Sequence, residues 1–166
     1  SNDATFHYED AFRASDLDKK PFSVEFWVNP TAIQKATFVD DLLADTFNLG
    51  LIAPDDPDGG VSWEWDDDEI ESGYADENIK PEFFLNTWTH CAFVHTGNNI
   101  ALYFKNDTLK KVLVSGGGAS PHPPIHLQPQ VGAGFTGKIA HFRIWQKNLT
   151  KDEFLRLGEQ DRGGFD

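Results

Sequence analysis

The stretch that decides the fold is Phe22-Ser23-Val24-Glu25-Phe26-Trp27-Val28-Asn29-Pro30. Its residues alternate with period two, so Phe22, Val24, Phe26 and Val28 share one face, as in a strand packed on a core. Asn29-Pro30 then supplies a turn signal. Similar runs recur outward from it. Phe47 to Ile52 is a second apolar stretch, closed by Pro54-Asp55-Asp56-Pro57-Asp58-Gly59-Gly60. Val61-Ser62-Trp63-Glu64-Trp65-Asp66 follows, with Val61, Trp63 and Trp65 on one face.

Trp88 to His95 reads as another strand. Through Thr96-Gly97-Asn98-Asn99 it turns into Ile100 to Phe104, the clearest hairpin in the chain. Leu109 to Val114 is a further strand, and Ile139 to Trp145 is the last. Between them, Gly116 to Gln130 reads as a stiff irregular loop, with prolines at 121, 123, 124 and 129. Only one helix is predicted. Thr150-Lys151-Asp152-Glu153 forms a capping box, Phe154, Leu155 and Leu157 give an apolar side, and Gly158 is placed to close the helix after about two turns. Short strands with frequent turns and no helices between them point to an all-β sandwich.

The 166 residues are 39% hydrophobic, enough for one continuous core, and no shift in composition divides residues 1–166 into two domains. The longest apolar run falls well short of the roughly 18–20 residues a membrane helix needs. Ser1-Asn2-Asp3-Ala4 lacks both Met and a signal pattern, which fits either a mature, processed chain or a piece of a longer one. With 27 acidic and 14 basic residues the net charge is −13, so nucleic acid and anionic membrane are poor partners. One cysteine, Cys91, excludes an intrachain disulfide. It reads as a small core residue, because His90 projects from the opposite strand face and His95 lies too far along the same one.

Four of these segments, in order, resemble the laminin G-like branch of the concanavalin A-like family. Phe22 to Pro30 is similar to that family's opening strand, FTISAWVKP. Asn86 to Val94 (NTWTHCAFV) is similar to its G-x-W-H-H-V-A-x-V strand, and Asn98 to Asn106 (NNIALYFKN) to x-T-L-R-L-Y-V-D-G. Phe135 to Trp145, followed by Leu149 to Glu153, resembles its last strand and capped helix. The resemblance implies a two-sheet antiparallel jelly-roll sandwich with one short C-terminal helix, and glycans as partners of a lectin without catalytic activity. Two departures stand out. Ala140-His141 occupies the place of the usual Asp-Glu, and residues 55–71 are far more acidic than the pattern requires.

That acidic segment is the first candidate site. Sugars are held by Asp, Asn and Glu on vicinal hydroxyls, with an aromatic ring over the pyranose face. Trp65, Asp66, Asp68, Tyr74 and Asn78 supply those groups, although the same residues also fit core tryptophans beside a solvated turn. Glu64-x-Asp66-x-x-Glu69 resembles the signature of jelly-roll retaining glucanases. Alternation puts Glu64 and Glu69 on opposite faces, however, and two carboxyls roughly 5–5.5 Å apart would need a bulge between them. Asp55, Asp56 and Asp58, or Asp66, Asp67 and Asp68, offer hard oxygens for calcium without a defined calcium-loop spacing. In the proline-rich loop, His122 and His126 are secondary sugar-contact candidates, and no third ligand completes a zinc site. Asn106-Asp107-Thr108 and Asn148-Leu149-Thr150 fit the N-glycosylation pattern.

The expectation is therefore a secreted or extracellular lectin for a terminal sugar, with an N-acetylhexosamine preferred. It gains strength as a homo-oligomer. The alternatives are an accessory or adhesion module of a larger secreted protein, and a retaining glycoside hydrolase.

Overall fold

The computed structural model describes residues 21–32, 36–41, 47–51, 61–65, 73–74, 79–96, 99–115, 129–131 and 136–163. The strands are β1 (Phe22–Pro30), β2 (Ala36–Asp41), β3 (Phe47–Leu51), β4 (Val61–Trp65), β5 (Gly73–Tyr74), β6 (Thr89–His95), β7 (Asn99–Lys105), β8 (Leu109–Ser115), β9 (Pro129–Val131) and β10 (Gly137–Trp145). They form two five-stranded sheets, ordered β10-β1-β6-β7-β8 and β5-β4-β3-β2-β9, with every pairing antiparallel. A 3-10 turn spans Pro81–Phe83, and an α-helix, α1 (Lys151–Arg162), closes the described chain.

The apolar face of β1 builds the core as its alternation requires. Phe22, Val24, Phe26 and Val28 are buried with Cys91 and Phe93 of β6, Ile100, Leu102 and Phe104 of β7, and Phe38 of β2. Phe26 of the first sheet meets Phe38 of the second edge-on at 6.0 Å, and Phe84, outside both sheets, packs on Phe38 at 5.7 Å and on Phe104 at 5.6 Å, so aromatic contacts tie the two layers together. Cys91 is fully buried, and burial pushes its thiol well up from the ordinary range, in keeping with a core residue and not a nucleophile.

The other face of β1 holds a surprise. Ser23, Glu25 and Trp27 are buried as deeply as their apolar neighbours. Here α1 lies on the outer face of the first sheet, where Leu149 and Phe154 pack with Ala92, Val94, Ala101 and Tyr103. The capping box forms as predicted: Thr150 Oγ1 accepts from Glu153 N–H at 3.2 Å, and Glu153 Oε1 accepts from Thr150 N–H at 3.2 Å. Buried Ser23 pins the approach to the helix, donating to Lys147 O at 2.7 Å and accepting from Leu149 N–H at 2.9 Å.

Several expectations are corrected here. The helix does not close at Gly158. It runs 12 residues, and Gly158 is buried in its middle. Strand β9 begins inside the stretch read as irregular loop, and as the edge of the second sheet it can start with a proline, whose missing N–H is not needed there. Asn106 is a poor glycan acceptor, being 8% exposed with its Nδ2 donating to Phe83 O at 3.0 Å. Asn148 is exposed.

Candidate functional site

Of the sugar-contact residues read from the sequence, the structure describes the backbone of two. Trp65 ends β4, paired with Phe47 of β3, while Tyr74 lies in the edge strand β5, paired with Ser62. Along the ladder, positions 65 and 62 are separated by three residues of strand, or roughly 10 Å. Asp66, Asp68, Asn78, His122 and His126 lie outside the described residues, as do the aspartates considered for calcium. Glu64, next to the end of β4, pairs with Asn48 of β3.

A polar cluster that the sequence reading missed sits on the outer face of the first sheet, beneath α1. Arg143 of β10 is its centre. Its Nε donates to Glu25 Oε1 at 3.1 Å and to Oε2 at 3.0 Å, and Nη2 donates to Oε1 at 2.8 Å. The same guanidinium reaches Asp161 of α1, with Nη1 donating to Oδ1 at 3.2 Å and Nη2 to Oδ2. Two indoles complete the shell: Trp27 Nε1 donates to Asp161 Oδ2 at 2.8 Å, and Trp145 Nε1 to Glu25 Oε2 at 3.2 Å. His90 Nε2 donates to Glu25 Oε1 at 3.0 Å, and its ring is stacked between Trp27 and Phe154 at centroid separations of 4.9 and 4.2 Å.

The electrostatics follow from these bonds. Burial pushes the Asp161 carboxyl up, but the hydrogen bonds from Arg143 and Trp27, with the charges of Arg143 and His141, outweigh it and hold the group below its ordinary range. Burial likewise opposes the charge on Arg143, and the bonds and charges of Glu25 and Asp161 overcome it and raise its pKa. Glu25, His90 and Asp161 offer metal-ligand atoms within 4.8 Å of one another. The place a cation would take between the two carboxylates is filled by the guanidinium, so the set does not fit a metal. Nor does it fit catalysis, because Glu25 and His90 are fully buried. The cluster is a lock that ties α1 to three strands.

The signal for this lock was present. Glu25 and His90 stand at diagonal positions on adjacent strands, both on the face opposite the apolar one (Glu25↔Ala92, Trp27↔His90). The departure at Ala140-His141 also has a structural counterpart. Between Glu25↔Arg143 and Trp27↔Ala140 the register shifts by one, and His141 adopts a φ of 51° in that bulge. Acids for the lock come from β1 and α1, with none supplied by β10 at that site.

A two-sheet antiparallel sandwich with a capped helix on its outer face is the architecture of lectin-like jelly rolls. A family profile described as the concanavalin A-like lectin/glucanases superfamily matches residues 4–154, and the chain belongs to that superfamily. Among solved structures it is similar to domain 4 of AbnA, a GH43 extracellular arabinanase from Geobacillus stearothermophilus in complex with arabinotriose. The TM-score is 0.61 at 18% identity, covering 87% of this chain and 69% of that one. The binding domain of botulinum neurotoxin serotype C1 gives a TM-score of 0.56 at 14% identity, over 88% of this chain and 38% of that one. A putative carbohydrate binding protein from Bacteroides ovatus gives 0.54 at 14% identity, over 90% and 42% respectively. The chain thus spans less than half of the last two. No curated protein sequence matches it.

Proposed function

We propose that this chain is a carbohydrate-binding domain without catalytic activity, acting outside the cell on the terminal sugars of glycans. The observation that carries the reading is the jelly roll shared over 87% of the chain with a domain bound to arabinotriose. The proposed site lies where β4 runs into the acidic segment, with Trp65 stacking on the sugar and Asp66 and Asp68 accepting its hydroxyls. Asn78, His122 and His126 are further contacts, and Tyr74 reaches the same sugar only around the edge formed by β5. An N-acetylhexosamine is the preferred ligand, and calcium enters only if the aspartates gather round it. Shallow sites of this type bind weakly, so the working form is a homo-oligomer. Light scattering on the eluting protein checks that directly, and a monomer contradicts it.

Trp65→Ala is the test of the site. Loss of glycan binding with an unchanged unfolding transition supports it, and retained binding moves the site elsewhere. Catalysis is tested by incubating the protein with β-glucans. Release of reducing ends that Glu64→Gln abolishes would establish the hydrolase reading instead.

One observation favours a second reading. The arabinanase domain is itself one part of a larger enzyme. An accessory module would bind a polysaccharide chain, and the natural protein would be much heavier than 18.6 kDa.

A further inference from the structure

The junction of β10 and α1 forms an open groove of about 240 Å³, lined in part by Trp145, Lys147, Glu153, Arg156, Leu157 and Gln160. It lies on the outer face of the first sheet, whereas β4 belongs to the second sheet. The groove is therefore separate from the site proposed above.

Its residues differ in how far they are committed. Trp145 is half-buried, and its Nε1 is held by Glu25 Oε2 at 3.2 Å, so the ring is fixed before any ligand arrives. The Lys147 ammonium donates to the Glu153 carboxylate, and the two neutralise each other. Leu149, beside them, is fastened to Ser23 Oγ at 2.9 Å, which holds that wall in place. Arg156 is the exception. It is exposed and has no hydrogen bond or ion pair among the described residues, in a chain whose net charge is −13. Gln160 stands four residues further along α1, on the same helix face. The groove thus combines a rigid aromatic plate, an uncommitted guanidinium and a planar amide.

We propose that this groove binds a saccharide carrying a carboxylate, of the uronic acid class. One pyranose ring lies on Trp145, its carboxylate sits in the fork of Arg156, and Gln160 bonds a neighbouring hydroxyl. The guanidinium fork matches a carboxylate with two parallel N–H···O bonds. The groove is smaller than the roughly 300–1,000 Å³ of sites for drug-sized ligands, which suits a single ring. The field of the rest of the acidic chain is screened beyond about 8 Å at physiological salt.

Titration of ¹⁵N-labelled protein with trigalacturonate, its methyl ester and hexaglutamate tests the proposal, with the Trp145 indole N–H as reporter. The expected result is a shift of that signal by trigalacturonate, about tenfold weaker binding of the ester, and no comparable binding of the peptide. Arg156→Gln, an exposed change that leaves the unfolding transition in place, weakens trigalacturonate about tenfold, and Trp65→Ala leaves it unchanged. Equal binding of acid and ester, equal binding of hexaglutamate, an unaltered Arg156→Gln protein, or no indole shift would each overturn it. A protein that binds trigalacturonate here but no neutral glycan would keep this site and reject the one on β4.

Discussion

Gly158 and His90 are in contact so close that a Cβ on the glycine would lie 2.9 Å from His90 Nδ1. The imidazole cannot step aside. Trp27 and Phe154 stack on its two faces, and Glu25 holds Nε2. His90 Nδ1 is buried with no hydrogen-bond partner, so its environment is set by this packing alone.

Gly158→Ala is accordingly expected to destabilise the protein. In an exposed helix the same change gains about 1 kcal/mol of propensity. Here overpacking outweighs that gain, for a net loss of about 1–2 kcal/mol, which is roughly 3–6 °C in Tm for a domain of this size. Thermal unfolding of the two proteins checks the sign, and a higher Tm for the variant would show that His90 has room to move.

Arg143 neutralises two carboxylates at once. Arg143→Met leaves Glu25 and Asp161 facing one another without a cation. Breaking a wholly buried pair costs about 3–5 kcal/mol. Because the Arg143 side chain is 31% exposed, solvent screens part of this, and about 2–3 kcal/mol is expected. Urea unfolding measures it, and adding Glu25→Gln to Arg143→Met should recover part of the loss. A double variant weaker than the single one would mean that Glu25 stabilises the fold through His90 and Trp145 more than through Arg143.

Asp161 predicts an acid dependence. Its folded-state pKa lies below its ordinary value. The stability it contributes is therefore complete above the unfolded pKa of about 3.9 and is lost as pH falls through the depressed folded value. The wild type should lose stability steadily below about pH 4. Asp161→Asn, already weaker at neutral pH, should show a shallower fall. Parallel slopes in pH-dependent urea melts would place the acid sensitivity elsewhere.

His141 adopts a φ of 51° in the bulge of β10, a conformation in which a β-branched side chain is strained. His141→Val should cost about 1–2 kcal/mol. His141→Gly should be close to neutral, since relief of the backbone offsets loss of the contact between His141 Nδ1 and Asp161 Oδ1 at 3.8 Å. Equal stabilities for the two variants would argue against a left-handed residue there.

The core was legible because period two is unambiguous where one face is apolar, as from Phe22 to Val28. The outer face of the same strand was not. Ser23, Glu25 and Trp27 show no apolar pattern of their own, and the placement of α1, set by long-range packing, buries them. Strand β2 was not read because Ala-Thr-Phe-Val-Asp-Asp, residues 36–41, shows no apolar alternation in sequence. At two and three residues, β5 and β9 are too short to show any period. Gly158 read as a helix stop because glycine usually serves there, whereas the reason for this glycine is a histidine 68 positions earlier in the chain. The proposed carbohydrate site was legible only as chemistry, aromatic beside carboxylate. Whether those side chains converge is set by register and by the paths of the connecting segments, which the composition of one segment does not encode.

The central claim is that this jelly roll binds glycans, and a broad glycan array run with labelled protein, first with calcium and then with excess chelator, tests it most directly. The account predicts selective binding that free sugar competes away, and binding that survives the chelator would show the site to be independent of calcium. An array blank under both conditions would contradict it.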